Sequence, residues 1–446
     1  MNCDPIKLTE RRSSPRQIEP AVETVVASFW QEVDQLASQQ GSDISIPLLV
    51  GLLFPVRQDT AMDRIEFETR LRRGMAISVL IWHISLDVLK RLYHPESAER
   101  VRVALPTGKP VVFLGNHITS VASLRFFKQL LFQNSQHLNQ RGIANRGATT
   151  SLVRLLRSVQ SGQHVIISPD GARGDSLAQI KILGFSTEIG KGAAVLAHAA
   201  KCPVVAMHAV VEDNQFVPEV VVGPTPFEGE GLEPFVARVV SFYEERLNVL
   251  VKSDPINIGN PARILGAFRR SVPTMDPYIL KYSIELCQEA LRQGDDTYIT
   301  YQLLSDLYRR VGDMESAIRY SKQSISVATN ERDKIAQTIN LASLLRLVKR
   351  PDEAFDLINL SIAEFPASAQ LHFAKSQVLT GLMRNQQAIE AAEAALTLDP
   401  ANPLICRHLA VLYTRTGDME KAADYEKRAD PAQAGDQNNV AAAKNW

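Results

Sequence analysis

The sequence predicts an α/β domain with a mostly parallel sheet flanked by helices, followed by an all-α superhelix of repeats. Two observations lead to this fold class. Residues 101–225 alternate short β-branched runs with stretches of helical periodicity, which is typical of βαβ units. From about residue 298 onward, small residues recur every 34 positions, which is typical of stacked helix pairs. A chain of 446 residues is long enough to fold into both regions.

The domain order follows from these patterns and from one stretch rich in proline and glycine near residues 255–270. We expect a partly disordered N-terminal segment over residues 1–60, then the α/β domain over 61–255. A linker is expected over 256–275, the repeats over 276–430 and a disordered tail over 431–446. The first forty residues in particular are predicted to be poorly ordered.

Composition excludes several classes of protein. With 49 basic and 49 acidic residues, the chain has no net charge to attract nucleic acid, and no nucleic-acid partner is expected. The four cysteines lie far apart without metal-ligand spacing, which predicts no bound metal and a reducing compartment. We find no signal peptide, and every apolar stretch is shorter than the roughly 20 residues of a spanning helix. A cytoplasmic protein is expected, with peripheral attachment to an inner membrane as the alternative.

The α/β region is predicted to contain four strands, at residues 111–114, 164–168, 204–208 and 219–222. Helices are predicted at 150–160 and 187–200. The apolar segment 74–89 lies between basic clusters and could rest in a membrane interface with Trp82 at the headgroup level. A core helix packed on the sheet is the competing interpretation.

The first candidate site residues follow the strand at 111–114, where Gly115 and Asn116 precede His117. The carboxyl ends of parallel strands gather functional groups, and imidazole titrates near neutral pH, so His117 could act as a general base. Asn116 would contact the substrate. A histidine that only caps the strand end is the structural alternative.

The second group is the turn after residue 168, which contains Asp170, Gly171 and Arg173. Asp170 could orient His117 or stabilise its charge, while Gly171 and Arg173 could bind an anionic substrate. A β-turn held by local backbone bonds explains the same residues. We expect the imidazole of His117 to lie close to the Asp170 turn, because consecutive βαβ units place such strand ends on one edge.

The third group opens the predicted helix at 187–200. Thr187 is expected to cap this helix, and its free N–H groups beside Lys191 could hold a phosphate or pyrophosphate. Helix capping alone accounts for much of this pattern.

Taken together, the strand followed by histidine, the Pro-Asp-Gly turn and the run from Leu183 to Val205 resemble the lysophospholipid acyltransferase superfamily, especially the lauroyl and myristoyl acyltransferases of lipid A assembly. The resemblance covers roughly residues 70–225. It implies transfer of a fatty acyl group from acyl carrier protein or coenzyme A to a hydroxyl or amine of a lipid-like acceptor. The acyl thioester would be a substrate, and the resemblance implies no bound cofactor.

The resemblance is incomplete at one position. In that family a carboxylate stands five residues after the histidine, and here that position is Ala122. His94 does have Glu99 five residues on, but it follows a helix and a proline, so we treat this match as chance. Either Asp170 replaces the missing acid, or the domain has lost acyl transfer and the chain is a non-catalytic scaffold.

The repeats are marked by Ala354, Ala388 and Ala422, which stand 34 residues apart, as do Pro366 and Pro400. A small residue precedes each of these alanines by twelve positions, and an earlier unit fits around Ala317. The period is that of tetratricopeptide repeats, in which small residues let paired helices approach closely. The repeats are expected to bind a protein, namely acyl carrier protein or another enzyme of the same pathway.

Overall fold

A computed structural model describes residues 22–39, 44–57, 59–94, 96–118, 148–171 and 176–429. The chain divides into two compact units, each built from several stretches of sequence. The first unit comprises Met1–Gln40, Arg57–Leu183 and Glu188–Arg263. The second comprises Gly41–Val56, Gly184–Thr187 and Ile264–Trp446. Two short segments that precede the repeats in the sequence, Gly41–Val56 and Gly184–Thr187, belong to the second unit.

The helices and strands are numbered here along the described residues. The helices before the repeats are α1 Val22–Gln39, α2 Ile46–Leu53, α3 Arg64–Leu80, α4 Leu86–Leu92, α5 Ser97–Ala104, α6 Ala148–Gln160, α7 Gly192–Ala200, α8 Leu232–Lys252, α9 Ala262–Ser271 and α10 Pro277–Arg292. The repeat helices are α11 Tyr298–Val311, α12 Met314–Val327, α13 Glu331–Leu347, α14 Pro351–Glu364, α15 Ala369–Gly381, α16 Asn385–Leu398, α17 Pro403–Thr416 and α18 Met419–Arg428. The strands are β1 Val112–Leu114, β2 Val165–Ile167, β3 Leu177–Ile182, β4 Phe185–Gly190, β5 Val204–Glu212 and β6 Gln215–Val222.

The main sheet has the strand order β2-β1-β5-β6. Strand β1 pairs in parallel with both neighbours, so that Phe113 faces Ile166 on one side and Val205 on the other. Strand β6 pairs antiparallel with β5 at the edge. All four predicted strands are therefore present, in a small mixed sheet. Because β1 and β2 are parallel neighbours, the residues that follow them meet at one edge.

Helix α1 packs into the hydrophobic core of the first unit, contrary to the expectation that the first forty residues are poorly ordered. Phe29, Trp30 and Val33 are buried beside Phe216 of the sheet. The rings of Trp30 and Phe216 lie 6.2 Å apart between centroids. These apolar side chains recur at helical spacing and bury one face of α1, which offsets the entropy lost on ordering the segment.

The apolar segment 74–89 is divided between two helices, since α3 ends at Leu80 and α4 begins at Leu86. Ile77 and Ile81 are fully buried in the same core, and Trp82 is 56% exposed. The packing agrees with the core-helix interpretation of this segment. No described helix is long and apolar enough to cross a bilayer.

The prediction that Thr187 caps a helix is wrong, because Thr187 lies within strand β4. Strands β3 and β4 form a two-stranded sheet, joined by Leu183 and Gly184, which both have positive φ angles of 54° and 84°. A two-residue turn of this kind matches the twist of a hairpin. Alternate burial along β4 leaves Thr187 only 8% exposed, and the helix that follows starts five residues later, at Gly192.

In the second unit, four helix pairs from α11 to α18 confirm the predicted repeat region. The serine at the small position of the first repeat, Ser305, donates a hydrogen bond to the carbonyl of Ala317 at 2.8 Å. Ser376 makes the same contact with the carbonyl of Ala388 at 2.7 Å. Small side chains at these positions let the two helices of a pair approach closely enough for this bond, which explains the 34-residue recurrence.

Residues 256–275, expected to be a linker, contain helix α9. Ile264, Leu265 and Phe268 on this helix are buried. Helix α2, from the N-terminal part of the chain, packs on α10 within the same unit. A Cβ placed on Gly51 of α2 would lie 2.3 Å from Cδ1 of Leu286 on α10, so any larger residue would force the Leu286 side chain to move.

Candidate functional site

The best-defined polar site of the first unit joins the ends of β1 and β2. The Nδ1 atom of His117 lies 2.9 Å from Oδ1 of Asp170, and the backbone N–H of His117 donates to Oδ2 at 2.7 Å. Asp170 belongs to the short 3-10 turn Pro169–Gly171 that follows β2. The imidazole is 42% exposed and the carboxylate 7% exposed. The predicted approach of these two residues is confirmed.

Tyr243 of α8 packs under the turn that follows β1. This residue was not identified from the sequence. Its hydroxyl donates to the carbonyl of Gly115 at 2.8 Å and also contacts the Asp170 carboxylate. Burial, together with the negative charge of Asp170, raises the pKa of Tyr243 well above its ordinary value. The Tyr243 hydroxyl therefore stays protonated and donates its single proton to the Gly115 carbonyl of the turn. A tyrosine within the apolar face of α8 was the available signal.

Gly115 has a steric role in bringing the strand ends together. A Cβ at this position would lie 2.7 Å from Oγ of Ser168 at the end of β2. A larger residue would force the Ser168 side chain to move. The glycine that the sequence placed before His117 thus allows the close approach on which the contact with Asp170 depends.

The contact fixes the chemistry of the imidazole. An ionised carboxylate only accepts hydrogen bonds, so in the neutral ring Nδ1 of His117 carries the proton and Nε2 keeps the lone pair. This arrangement can perform general-base catalysis, with Asp170 in the position of an orienting acid.

The other predicted residues of this edge differ in how they are placed. Asn116 accepts a hydrogen bond from the backbone N–H of Ile118 at 3.0 Å, which shapes the turn after β1. Gly171 ends the turn that carries Asp170. Arg173 and Ala122 lie outside the described residues. The Glu99 carboxylate pairs with Arg102, in agreement with the view that its spacing from His94 is accidental.

Thr187 and Lys191 are engaged elsewhere. The hydroxyl of Thr187 accepts a hydrogen bond from Arg270 at 2.5 Å. The ammonium of Lys191 lies 3.6 Å from the carboxylate of Glu233, and its backbone N–H donates to Ser176 at 3.1 Å. Neither residue makes a hydrogen bond or ion pair with His117 or Asp170 in the described part of the chain.

No group of three or more histidine, cysteine, aspartate or glutamate side chains among the described residues could hold a metal ion. The three described cysteines, Cys202, Cys287 and Cys406, are buried free thiols. Burial raises the pKa of the Cys202 thiol to about 11, which makes it a poor nucleophile.

The second unit presents a surface formed by the first helices of its last three repeats, α13, α15 and α17. His408 of α17 contacts α15 through Ser376, at 3.0 Å between Nε2 and Oγ, and through Thr380 at 3.4 Å. Its ring also packs edge-on against Phe373, with centroids 5.4 Å apart. Arg346 of α13 reaches α15 beside Gly381. The three helices therefore lie side by side.

Comparison with known proteins supports the assignment of the repeats. A tetratricopeptide-repeat family model matches residues 298–331 and 369–402, which begin with α11 and α15. The C-terminal region contains tetratricopeptide repeats. The matched segments start at the first and third repeats of the predicted series, so the phase of the repeat agrees with the spacing of the alanines.

Among solved structures, MamA from Desulfovibrio magneticus RS-1 is 17% identical to the chain, with a TM-score of 0.30. The superposition covers 38% of this chain and 94% of that chain. Another MamA crystal structure is 19% identical, with a TM-score of 0.30, and covers 36% of this chain and 91% of that one. No curated protein sequence matches the chain. The resemblance of residues 70–225 to acyltransferases therefore rests on the sequence motifs alone.

Proposed function

We propose that the tetratricopeptide repeats bind another protein and that the chain acts as an interaction scaffold. The observation that carries this proposal is the row of first helices α13, α15 and α17, which expose both apolar and charged side chains. Leu347 is 59% exposed, Leu404 57% and Val411 45%. Repeat arrays of this kind use such extended surfaces for binding, and exposed apolar side chains set among polar ones are typical of interaction sites.

The proposal is tested by site-specific photo-crosslinking in the full chain. A photoreactive phenylalanine analogue at Val411 should give a defined protein adduct in cells of the source organism. The same analogue at Leu360, which is 72% exposed on the second helix α14, is the matched control. Adducts of equal yield from both positions, or none from Val411, would contradict binding at the first helices.

A second candidate function is acyl transfer by the first unit, supported by the contact between His117 and Asp170. In this reaction Nε2 of His117 takes the proton from an acceptor hydroxyl as its oxygen attacks the thioester carbonyl of acyl carrier protein or acyl-coenzyme A. The new ester forms, the carbon–sulfur bond breaks, and the proton passes to the departing thiolate. Asp170 stabilises the transient imidazolium. Acyl carrier protein or a pathway enzyme would then be the partner of the repeats.

This second candidate is tested by incubating the chain with acyl carrier protein and coenzyme A thioesters in the presence of a lipid extract, with acylated products detected by mass spectrometry. His117→Ala should abolish transfer, since it removes the base. Ala122→Glu, which supplies the acid at the position implied by the acyltransferase resemblance, should preserve or raise the rate. Transfer that survives His117→Ala undiminished would exclude this mechanism. If the wild-type chain is completely inactive, the scaffold function is the one proposal that remains.

A further inference from the structure

The charges of the last three repeats are segregated between first and second helices. Helices α15 and α17 contain no aspartate or glutamate, and α13 contains none after its first turn. The second helices α14, α16 and α18 carry the acids, for example Glu353, Glu393 and Glu420. In a chain with no net charge, α15 and α17 therefore carry only basic charged side chains, and so does α13 beyond its first turn.

Three exposed arginines occupy this surface, Arg346 on α13 and Arg407 and Arg415 on α17. None of their guanidinium groups forms a hydrogen bond or ion pair with another described residue. Four other cations of the repeats form ion pairs, namely Lys334 with Glu364, Arg309 with Asp306, Arg350 with Glu353 and Lys421 with Asp418. The three arginines of the first helices have no such carboxylate partner among the described residues.

Two of the arginines act on His408. The pKa of His408 is lowered by burial and by the positive charges of Arg415 and Arg346, and the imidazole contacts Ser376 and Phe373 of α15. Both arginines are therefore close enough for their fields to overlap at one point of the surface. We call the surface formed by Arg346, Arg407, His408 and Arg415 the arginine face.

We propose that the arginine face binds an acidic segment of a partner protein, an inference that rests on the protein-binding function proposed above. Guanidinium groups pair with carboxylates through two parallel hydrogen bonds. Val411 is exposed between Arg407 and Arg415 on α17, and Leu404 is exposed at the start of the same helix. Both side chains match apolar residues of a peptide but offer nothing to a phosphate backbone. Phe373 of α15 packs edge-on against His408 and against the core of the repeats, so its ring is not free to stack on a base. These features favour a peptide over RNA.

The test measures the fluorescence anisotropy of labelled synthetic peptides as the full chain is added. One peptide carries glutamates alternating with leucines, and its partner has glutamine at every glutamate. The acidic peptide should bind about tenfold more tightly than the glutamine peptide, and its affinity should fall as salt is raised. The double variant Arg346→Glu/Arg415→Glu should weaken binding of the acidic peptide by about tenfold or more. The neutral variant Arg346→Gln/Arg415→Gln should weaken it by less.

The matched control is Lys322→Glu/Lys427→Glu, which makes the same change of charge at exposed positions of the second helices α12 and α18. It should leave binding within about twofold of the wild-type value. Equal loss in the control would overturn the arginine face as the site, and equal affinity for both peptides would overturn the acidic partner. A single-stranded RNA probe that binds more tightly than either peptide would also overturn it. Failure of the protein-binding function is scored separately, by the absence of a crosslink from Val411.

Discussion

Replacement of Asp170 by asparagine is expected to reverse the tautomer of His117. One carboxylate oxygen accepts from the backbone N–H of His117 at 2.7 Å, and the other faces Nδ1 at 2.9 Å. In the Asp170→Asn variant the amide oxygen must stay with the backbone N–H, which can only donate. The amide NH₂ then faces Nδ1, so Nδ1 becomes the acceptor and the proton moves to Nε2.

The cost in stability follows from the same contacts. Hydrogen bonds to an ionised carboxylate are each worth about 1 kcal/mol more than their neutral counterparts, and Asp170 accepts from the backbone and from the ring of His117. We expect Asp170→Asn to lower the free energy of unfolding of the first unit by about 1–3 kcal/mol. Trp30, which is 5% exposed in the core of that unit, reports the transition by fluorescence.

The tautomer is measured by long-range ¹H–¹⁵N NMR with labelled histidine, at alkaline pH where imidazole is neutral. The chain has nine histidines, and loss of one signal in His117→Gln assigns the resonance. Asp87→Asn, at a carboxylate that is 85% exposed, is the control and should leave the His117 signal unchanged. A wild-type ring protonated on Nε2, or a ring whose tautomer is the same in Asp170→Asn, would refute the assigned role of the carboxylate.

Three further substitutions test other parts of the structure. Tyr243→Phe should lower the free energy of unfolding by about 1–3 kcal/mol, because it removes the buried donor to the Gly115 carbonyl and leaves that acceptor unsatisfied; an unchanged urea midpoint would contradict this. The hydrogen bond to His208 lowers the pKa of Glu219 below its ordinary value of 4.5, so its stabilising effect is present above that value and is lost as pH falls through the lowered pKa. Glu219→Gln should therefore have a lower free energy of unfolding than wild type in urea titrations at neutral pH, and the difference should shrink on acidification. A difference that grows on acidification would contradict this. Ser376→Ala should cost only about 1 kcal/mol while Ser376→Leu costs several, since the helix pair has room for a small side chain alone; equal thermal stability of the two variants would show that this crossing is not tightly packed.

The sequence predicted the sheet and the repeats well because both leave local patterns. The strand before His117 is a short run of apolar residues, and the repeat period is carried by alanines whose size is fixed by helix packing. The contact between His117 and Asp170 was also predictable, since parallel neighbouring strands bring their ends to one edge. Their catalytic role stays a prediction.

The features that were missed depend on longer-range contacts or on a pattern read with the wrong period. Thr187 was assigned to a helix, although the residues from Phe185 to Gly190 alternate in burial as a strand does. The turn at Leu183 and Gly184 adopts positive φ angles that a leucine rarely occupies, so the hairpin left a weak local signal. Helix α1 was overlooked because the polar residues around it outweighed the apolar stripe that contains Trp30. No local pattern could place Tyr243 under Asp170, because the two are far apart in sequence.

The packing of α2 on α10 has a consequence for how the repeats can be produced in isolation. Leu48, Leu49 and Leu53 of α2 are buried, so a fragment that begins at residue 276 lacks the segment that covers the first end of the helical stack. Such fragments are expected to aggregate, and a synthetic peptide spanning residues 44–57 should rescue them when added in trans. Since residues 44–57 are synthesised long before the repeats, a nascent chain must keep this leucine-rich segment soluble until its binding surface leaves the ribosome.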